Sequence, residues 1–135
     1  MTGTVTGSIV YVPGGQVITL DWLCNASGDA LADLYSELDI GYVTGEVVFI
    51  ETAPGLDGDL MTNLPTNAYD LYLNDLHSYD WAGGELEDRS GTVAEKLLPT
   101  ATLIFLNQRL VFKVDNAGNA KCGRAIIGIR NLFGR

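Results

Sequence analysis

Between residues 16 and 25, Ile18, Leu20, Trp22 and Cys24 alternate with Val17, Thr19 and Asp21. Successive side chains on a strand point to opposite faces, so this period of two describes a half-buried β-strand with Trp22 on its apolar side. The same beat returns at 69–74, with Tyr69, Leu71 and Leu73 against Asp70, Tyr72 and Asn74, and again at 109–115, with Leu110, Phe112 and Val114 against Val111, Lys113 and Asp115. Residues 2–12 are rich in Thr, Val and Ile and stop at Pro13-Gly14-Gly15, a strong turn signal. The continuous run Val47-Val48-Phe49-Ile50 is that expected of a strand buried on both faces. Residues 103–106 and 122–131 complete the set, the latter reached through Asn116-Ala117-Gly118-Asn119-Ala120, which reads as a hairpin loop with Gly and Asn available for left-handed backbone. Seven or eight short strands divided by turn residues indicate an all-β chain, a single-domain antiparallel β-sandwich over residues 1–135 with long loops. A chain of 135 residues is long enough to bury one core without staples.

Three segments are less regular. Asp29 could cap a helix whose Ala30, Leu31, Leu34, Tyr35 and Leu38 fall at helical spacing, yet Ala32, Leu34 and Leu38 against Asp33 and Glu37 also fit a strand. Residues 53–67, punctuated by Pro54, Gly55, Gly58 and Pro65, form a loop of a length that usually serves binding or assembly. Residues 76–91 are aromatic and acidic around Gly83-Gly84 and read as a second long loop or hairpin tip, and a single helical turn is expected within 92–98.

No reactive constellation emerges, and the chain is not read as an enzyme. His77 is the only histidine, Ser78 beside it would face the other way on a strand, and no nucleophile elbow is present. Asp57-Gly58-Asp59 lacks the closing acid of a calcium loop and reads as a turn. One histidine and two distant cysteines make no zinc set; Cys24 and Cys122 read as small buried hydrophobes. The acids Asp80, Glu85, Glu87 and Asp88 read as a solvated loop and not as a glycosidase pair. No catalytic, cofactor or metal residues are therefore assigned.

Charge is segregated along the chain. Arg109, Lys113, Lys121, Arg124, Arg130 and Arg135 meet only Asp115 in the last 27 positions, a local +5, while residues 1–108 carry sixteen acids and two bases, a local −14. A net charge of −9 disfavours nucleic acid and anionic membranes as partners, and the apolar runs are too short to span a bilayer as helices. With no basic-then-apolar leader at its start, the chain is expected to fold in a reducing cytoplasm. Such polarity suits a domain that meets copies of itself or an acidic surface through one face. Lys121 and Arg124 are the cations assigned to that contact, and Tyr79 and Trp81, on a 79–84 loop tip, are the aromatic anchors.

Three segments together carry a resemblance. They are Ile18-Thr19-Leu20-Asp21-Trp22 leading to Ala26-Ser27-Gly28-Asp29-Ala30; Asn67-Ala68-Tyr69-Asp70-Leu71-Tyr72-Leu73-Asn74-Asp75 leading to Gly83-Gly84; and Leu110-Val111-Phe112-Lys113-Val114 with Asn116-Ala117-Gly118-Asn119-Ala120. Across roughly residues 16–131 the chain resembles small β-rich virion structural proteins of tailed bacteriophages, departing after Pro54 and at Leu76-His77-Ser78-Tyr79. The resemblance implies an extended 29–38 segment and a β-sandwich without catalytic residues. It implies a capsid decoration (cement) protein on the shell of the major capsid protein, assembled in the host cytoplasm and residing in the virion. Self-association is expected, with a trimer favoured. Two alternatives stand beside it: a neck, collar or tail component, which would form rings of six or twelve, and a carbohydrate- or ligand-binding β-module, which needs a pocket lined by Trp81 and Tyr79.

Overall fold

Pro13-Gly14 closes a two-residue turn between β1 (Thr4–Val12) and β2 (Gly15–Leu23), which pair antiparallel from Val12 and Gly15 to Thr4 and Leu23 without a break. In the computed structural model, described here over residues 3–55 and 64–132, this hairpin begins a six-stranded sheet. The remaining strands are β3 (Ala30–Asp33), β4 (Val43–Pro54), β5 (Asp70–Asn74), β6 (Glu95–Leu97), β7 (Ile104–Gln108), β8 (Val111–Asp115) and β9 (Cys122–Arg130). The larger sheet runs β1-β2-β9-β4, with β6 and β7 sharing the far edge of β4; the smaller sheet is β3-β8-β5. The described residues are all-β, in two antiparallel sheets that form a sandwich, and contain no helix.

Alternation in the sequence becomes the core directly. Ile18, Leu20 and Trp22 of β2, Ala125, Ile127 and Ile129 of β9, Leu71 and Leu73 of β5, and Phe112 and Val114 of β8 are all buried in one cluster between the sheets. Trp22 sits against Tyr69 with ring centroids 5.3 Å apart. Cys24 and Cys122 are buried thiols, as small hydrophobes are. Gly123 is buried beneath the Trp22 ring. A methyl there would overlap Trp22 Cζ2 and lie 2.7 Å from Cε2 and 2.9 Å from the Ala53 carbonyl oxygen.

Four expectations are corrected. The apolar run in β4 is not buried on both faces: Val47 pairs with Ile129 and Phe49 with Gly128, leaving Val48 as the extra residue of a β-bulge. Val47 and Ile50 therefore both face the core, while Val48 is 40 % exposed. Residues 92–98 form no helical turn; Glu95–Leu97 pairs with Ile50, Glu51 and Thr52 instead. The 116–120 segment is no hairpin, because β8 and β9 lie in different sheets, and it crosses between them with Asn116 (φ 64°), Gly118 (φ 96°) and Ala120 (φ 54°) in left-handed backbone. The helical spacing at 29–38 yields to pairing with β8: Ala30–Asp33 is extended as the resemblance implies, but the chain then turns, with the Asp33 carboxylate accepting from the amides of Tyr35 (2.9 Å) and Ser36 (3.3 Å).

Edges are covered at β5 and at the start of β3, while β6 and β7 are outermost on the far side of the larger sheet. The outer side of β5 is bonded by an irregular return segment, with Trp81 N–H donating to Leu73 O (2.8 Å), Leu71 N–H to Leu86 O (3.1 Å) and Arg89 N–H to Tyr69 O (2.7 Å). Gly3 bridges to Ala30, covering the start of β3. Beyond Gly3, the outer edge of β1 has no backbone partner among the described residues. The sandwich thus has a hairpin end, carrying the Pro13-Gly14 turn, and a crossover end, carrying the 116–120 segment.

Candidate interaction surface

Tyr79 and Trp81 sit at the hairpin end on a segment fixed by carboxylates. Asp75 Oδ1 accepts from the amides of His77 (2.7 Å) and Tyr79 (3.0 Å); Asp80 Oδ1 accepts from Leu73 and Ala82 (3.1 Å each), and Asp80 Oδ2 from Gly84 (2.9 Å). Trp81 is half-buried and meets Phe105 edge-on at 5.7 Å; Tyr79 in turn meets Trp81 edge-on at 5.5 Å and is 60 % exposed. The three rings step from core to solvent, so Trp81 supports the display of Tyr79 and is no detached loop tip. Both line an open cleft of about 660 Å³ whose other wall is residues 99–104. Glu85 ties that wall down by accepting from the Thr100 amide (3.2 Å) and hydroxyl. Of the four acids weighed and set aside as a carboxylate pair, Asp80 thus binds backbone amides and Glu85 an amide and a hydroxyl.

Lys121 and Arg124 lie at the opposite end. Phe105, under Trp81, pairs with Gly45, whereas Arg124 pairs with Ala53, about eight residues farther along β4 and roughly 25 Å away at the rise of a strand. Arg124 is also engaged, its guanidinium binding Asp21 across the strand pair (Nε to Oδ1 2.6 Å, Nη2 to Oδ2 3.0 Å). Arg130 pairs with Glu46, Arg109 with Asp33 (2.9 Å) and Lys113 with Asp115 (3.3 Å). Four of the tail's six bases are therefore in local ion pairs, and its described bases make no single basic face. Arg135 and the Asp57-Gly58-Asp59 turn fall outside the described residues.

The hairpin end gathers residues that sequence reading left scattered. Tyr11 (74 % exposed) ends β1, Tyr35 and Tyr42 (43 % and 50 %) come from the connection between β3 and β4, and Tyr79 from the return segment. Tyr35 and Tyr42 meet at a 43° tilt with ring centres 4.7 Å apart, and the Arg109 guanidinium lies over Tyr35 at 5.0 Å. Burial alone would raise the Asp33 carboxyl, but the Arg109 hydrogen bond and the two turn amides hold it below the ordinary carboxylate range. Exposed Leu76 and Leu106 border the same end. Four of the six tyrosines, one arginine and several aliphatics at one end have the composition of an interface core. The only sequence signal was that each lies near a strand end; which ends coincide is set by topology.

A second groove of about 500 Å³ runs over the outer face of the small sheet, lined by Leu31, Tyr72, Leu76, Val111 and Lys113 among others. Lys113 sits 5.6 Å from the Tyr72 ring centre; burial first, then the acids Asp70, Glu87, Asp115 and Asp80, pushes the Tyr72 phenol upward. His77 is exposed in its turn, and no group of three or more His, Cys, Asp or Glu among the described residues is placed to hold a metal ion. Among those residues no helix is long and apolar enough to cross a membrane. No protein-family model matches the chain, and neither a curated protein nor a solved structure matches it.

Proposed function

We propose that this protein is a structural part of a tailed-phage virion, a decoration (cement) protein that attaches to the shell of the major capsid protein by its hairpin end. The virion assignment comes from the resemblance in strand and turn motifs. The attachment surface comes from one observation: Tyr11, Tyr35, Tyr42 and Tyr79 stand exposed at a single end of a rigid sandwich. Such a surface gains affinity from few ordered rotamers per ring, and repetition over a shell adds avidity.

Co-sedimentation of the purified protein with undecorated capsids of the encoding phage tests this. Stoichiometric binding supports it, and Tyr35→Ala or Tyr79→Ala should weaken attachment roughly tenfold or more while the melting temperature stays put. Failure to bind, or a native mass of a ring of six or twelve, would reassign the chain to a neck, collar or tail position or remove it from the virion. The cleft lined by Tyr79 and Trp81 favours a second reading, a carbohydrate- or ligand-binding module. That reading requires the isolated protein to retain a glycan on an array, with retention lost in Tyr79→Ala.

A further inference from the structure

β1 is a nine-residue edge strand, Thr-Val-Thr-Gly-Ser-Ile-Val-Tyr-Val, with no charge, no proline and no break in its register with β2. Exposed edges normally carry a lysine, a proline or a bulge, since unpaired N–H and C=O groups template pairing with another chain. Here those devices are missing, and Val10, Tyr11 and Val12 are 58 %, 74 % and 42 % exposed. Elsewhere backbone covers the outer side of β5 and the start of β3, and the far edge of the larger sheet is made by the short strands β6 and β7, of three and five residues.

We propose that β1 pairs antiparallel with β1 of a second copy, about a twofold axis through Ser8, joining two six-stranded sheets into one. A copy of this chain is the occupant for two reasons. β1 is its longest uncharged edge strand, nine residues against five in β7, so β1 on β1 is isologous and closes at two. A chain of net charge −9 repels its copies over most of its surface, and a strand without charge adds nothing to that repulsion. Centring on Ser8 places Thr4 opposite Val12, Val5 opposite Tyr11, Thr6 opposite Val10 and Gly7 opposite Ile9. Every pair keeps its face of the sheet, exposed Val10 and Val12 gain threonine methyls, and exposed Tyr11 lies over Val5. The paired length is roughly 30 Å. Closure at two differs from the trimer implied by the resemblance.

The inference goes beyond the proposed function and does not rest on it: antiparallel pairing points the two hairpin ends in opposite directions, so a shell would engage the hairpin end of one copy in each pair. The test uses the purified full chain alone, so a dimer that ignores capsids and a monomer that binds them are distinct failures. Sedimentation should give a dimer whose mass falls to a monomer on dilution. Ser8→Lys, on the solvent face, should weaken association about a hundredfold by setting like charges across the axis, partly restored by salt, with unchanged melting of the monomer. Ser8→Cys should form an intermolecular disulfide on mild oxidation, while Thr19→Cys, its neighbour one strand inward, should not. A monomer at every concentration, a ring larger than two, a dimer indifferent to Ser8→Lys, or cross-linking at position 19 but not at 8 would overturn the pairing.

Discussion

Gly123→Ala adds one methyl at the most confined point of β9. Its carbon would overlap Trp22 Cζ2 and approach Trp22 Cε2 at 2.7 Å and the Ala53 carbonyl oxygen at 2.9 Å. Trp22 is 1 % exposed and wedged against Tyr69, so it cannot swing away as a surface side chain would. Overpacking of this kind costs about 1–3 kcal/mol. For a domain of this size about 2 kcal/mol lowers the melting temperature by roughly 8 °C. Trp22→Phe withdraws Cζ2 from the contested space and leaves a void that the new methyl partly fills. In that background Gly123→Ala should cost less than about half as much, a coupling of at least about 1 kcal/mol. Urea unfolding followed by far-ultraviolet circular dichroism on the four proteins measures the cycle. Equal costs in both backgrounds, or a neutral Gly123→Ala in the parent, would refute the packing argument.

Arg124→Glu should destabilise the fold by roughly 1–2 kcal/mol by facing Asp21, with recovery in the double reversal Asp21→Arg/Arg124→Asp; Lys121→Glu should stay within about 0.5 kcal/mol. Urea midpoints decide between them. Burial, followed by the charges of Asp29, Cys122 and Asp115, pushes the Cys24 thiol from 9.0 up to about 12, and burial likewise pushes the Tyr69 phenol from 10.0 to about 12. The unfolded chain then releases these protons first, so stability is intact below about pH 9 and declines toward about pH 12; Cys24→Ala should flatten that decline in urea titrations. For Asp33 the sign is opposite: its lowered value stabilises the fold above the ordinary carboxylate range, and that stability is lost as acid protonates it. Carbon-detected NMR should find Asp33 titrating below 3.8 and returning upward in Arg109→Ala.

What the sequence disclosed was the local beat. The alternations in β2, β5 and β8 put Trp22, Leu71 and Phe112 in the core as the period of two requires. It failed where partners lay far off in the chain. Nothing near Glu95–Leu97 signals β4 as its neighbour, and the turn residues at 116–120 are equally compatible with a hairpin and with a crossover between sheets. The same blindness affected the surface. Charge summed along the chain suggested a basic face, but cross-strand register placed Asp21 against Arg124 and Glu46 against Arg130. Trp81 looked like a projecting anchor because its support, Phe105, comes from another strand.

The extra residue at Val48 has an engineering consequence. In an interior strand, losing one residue ordinarily turns everything beyond it inside out. Here Val47 would simply be followed by Phe49, whose partner Gly128 already succeeds Ile129 in the ladder, and each downstream side chain would keep its compartment. A single position in the middle of the sandwich is thus spare, a slack link where a codon can vanish without reversing the weave.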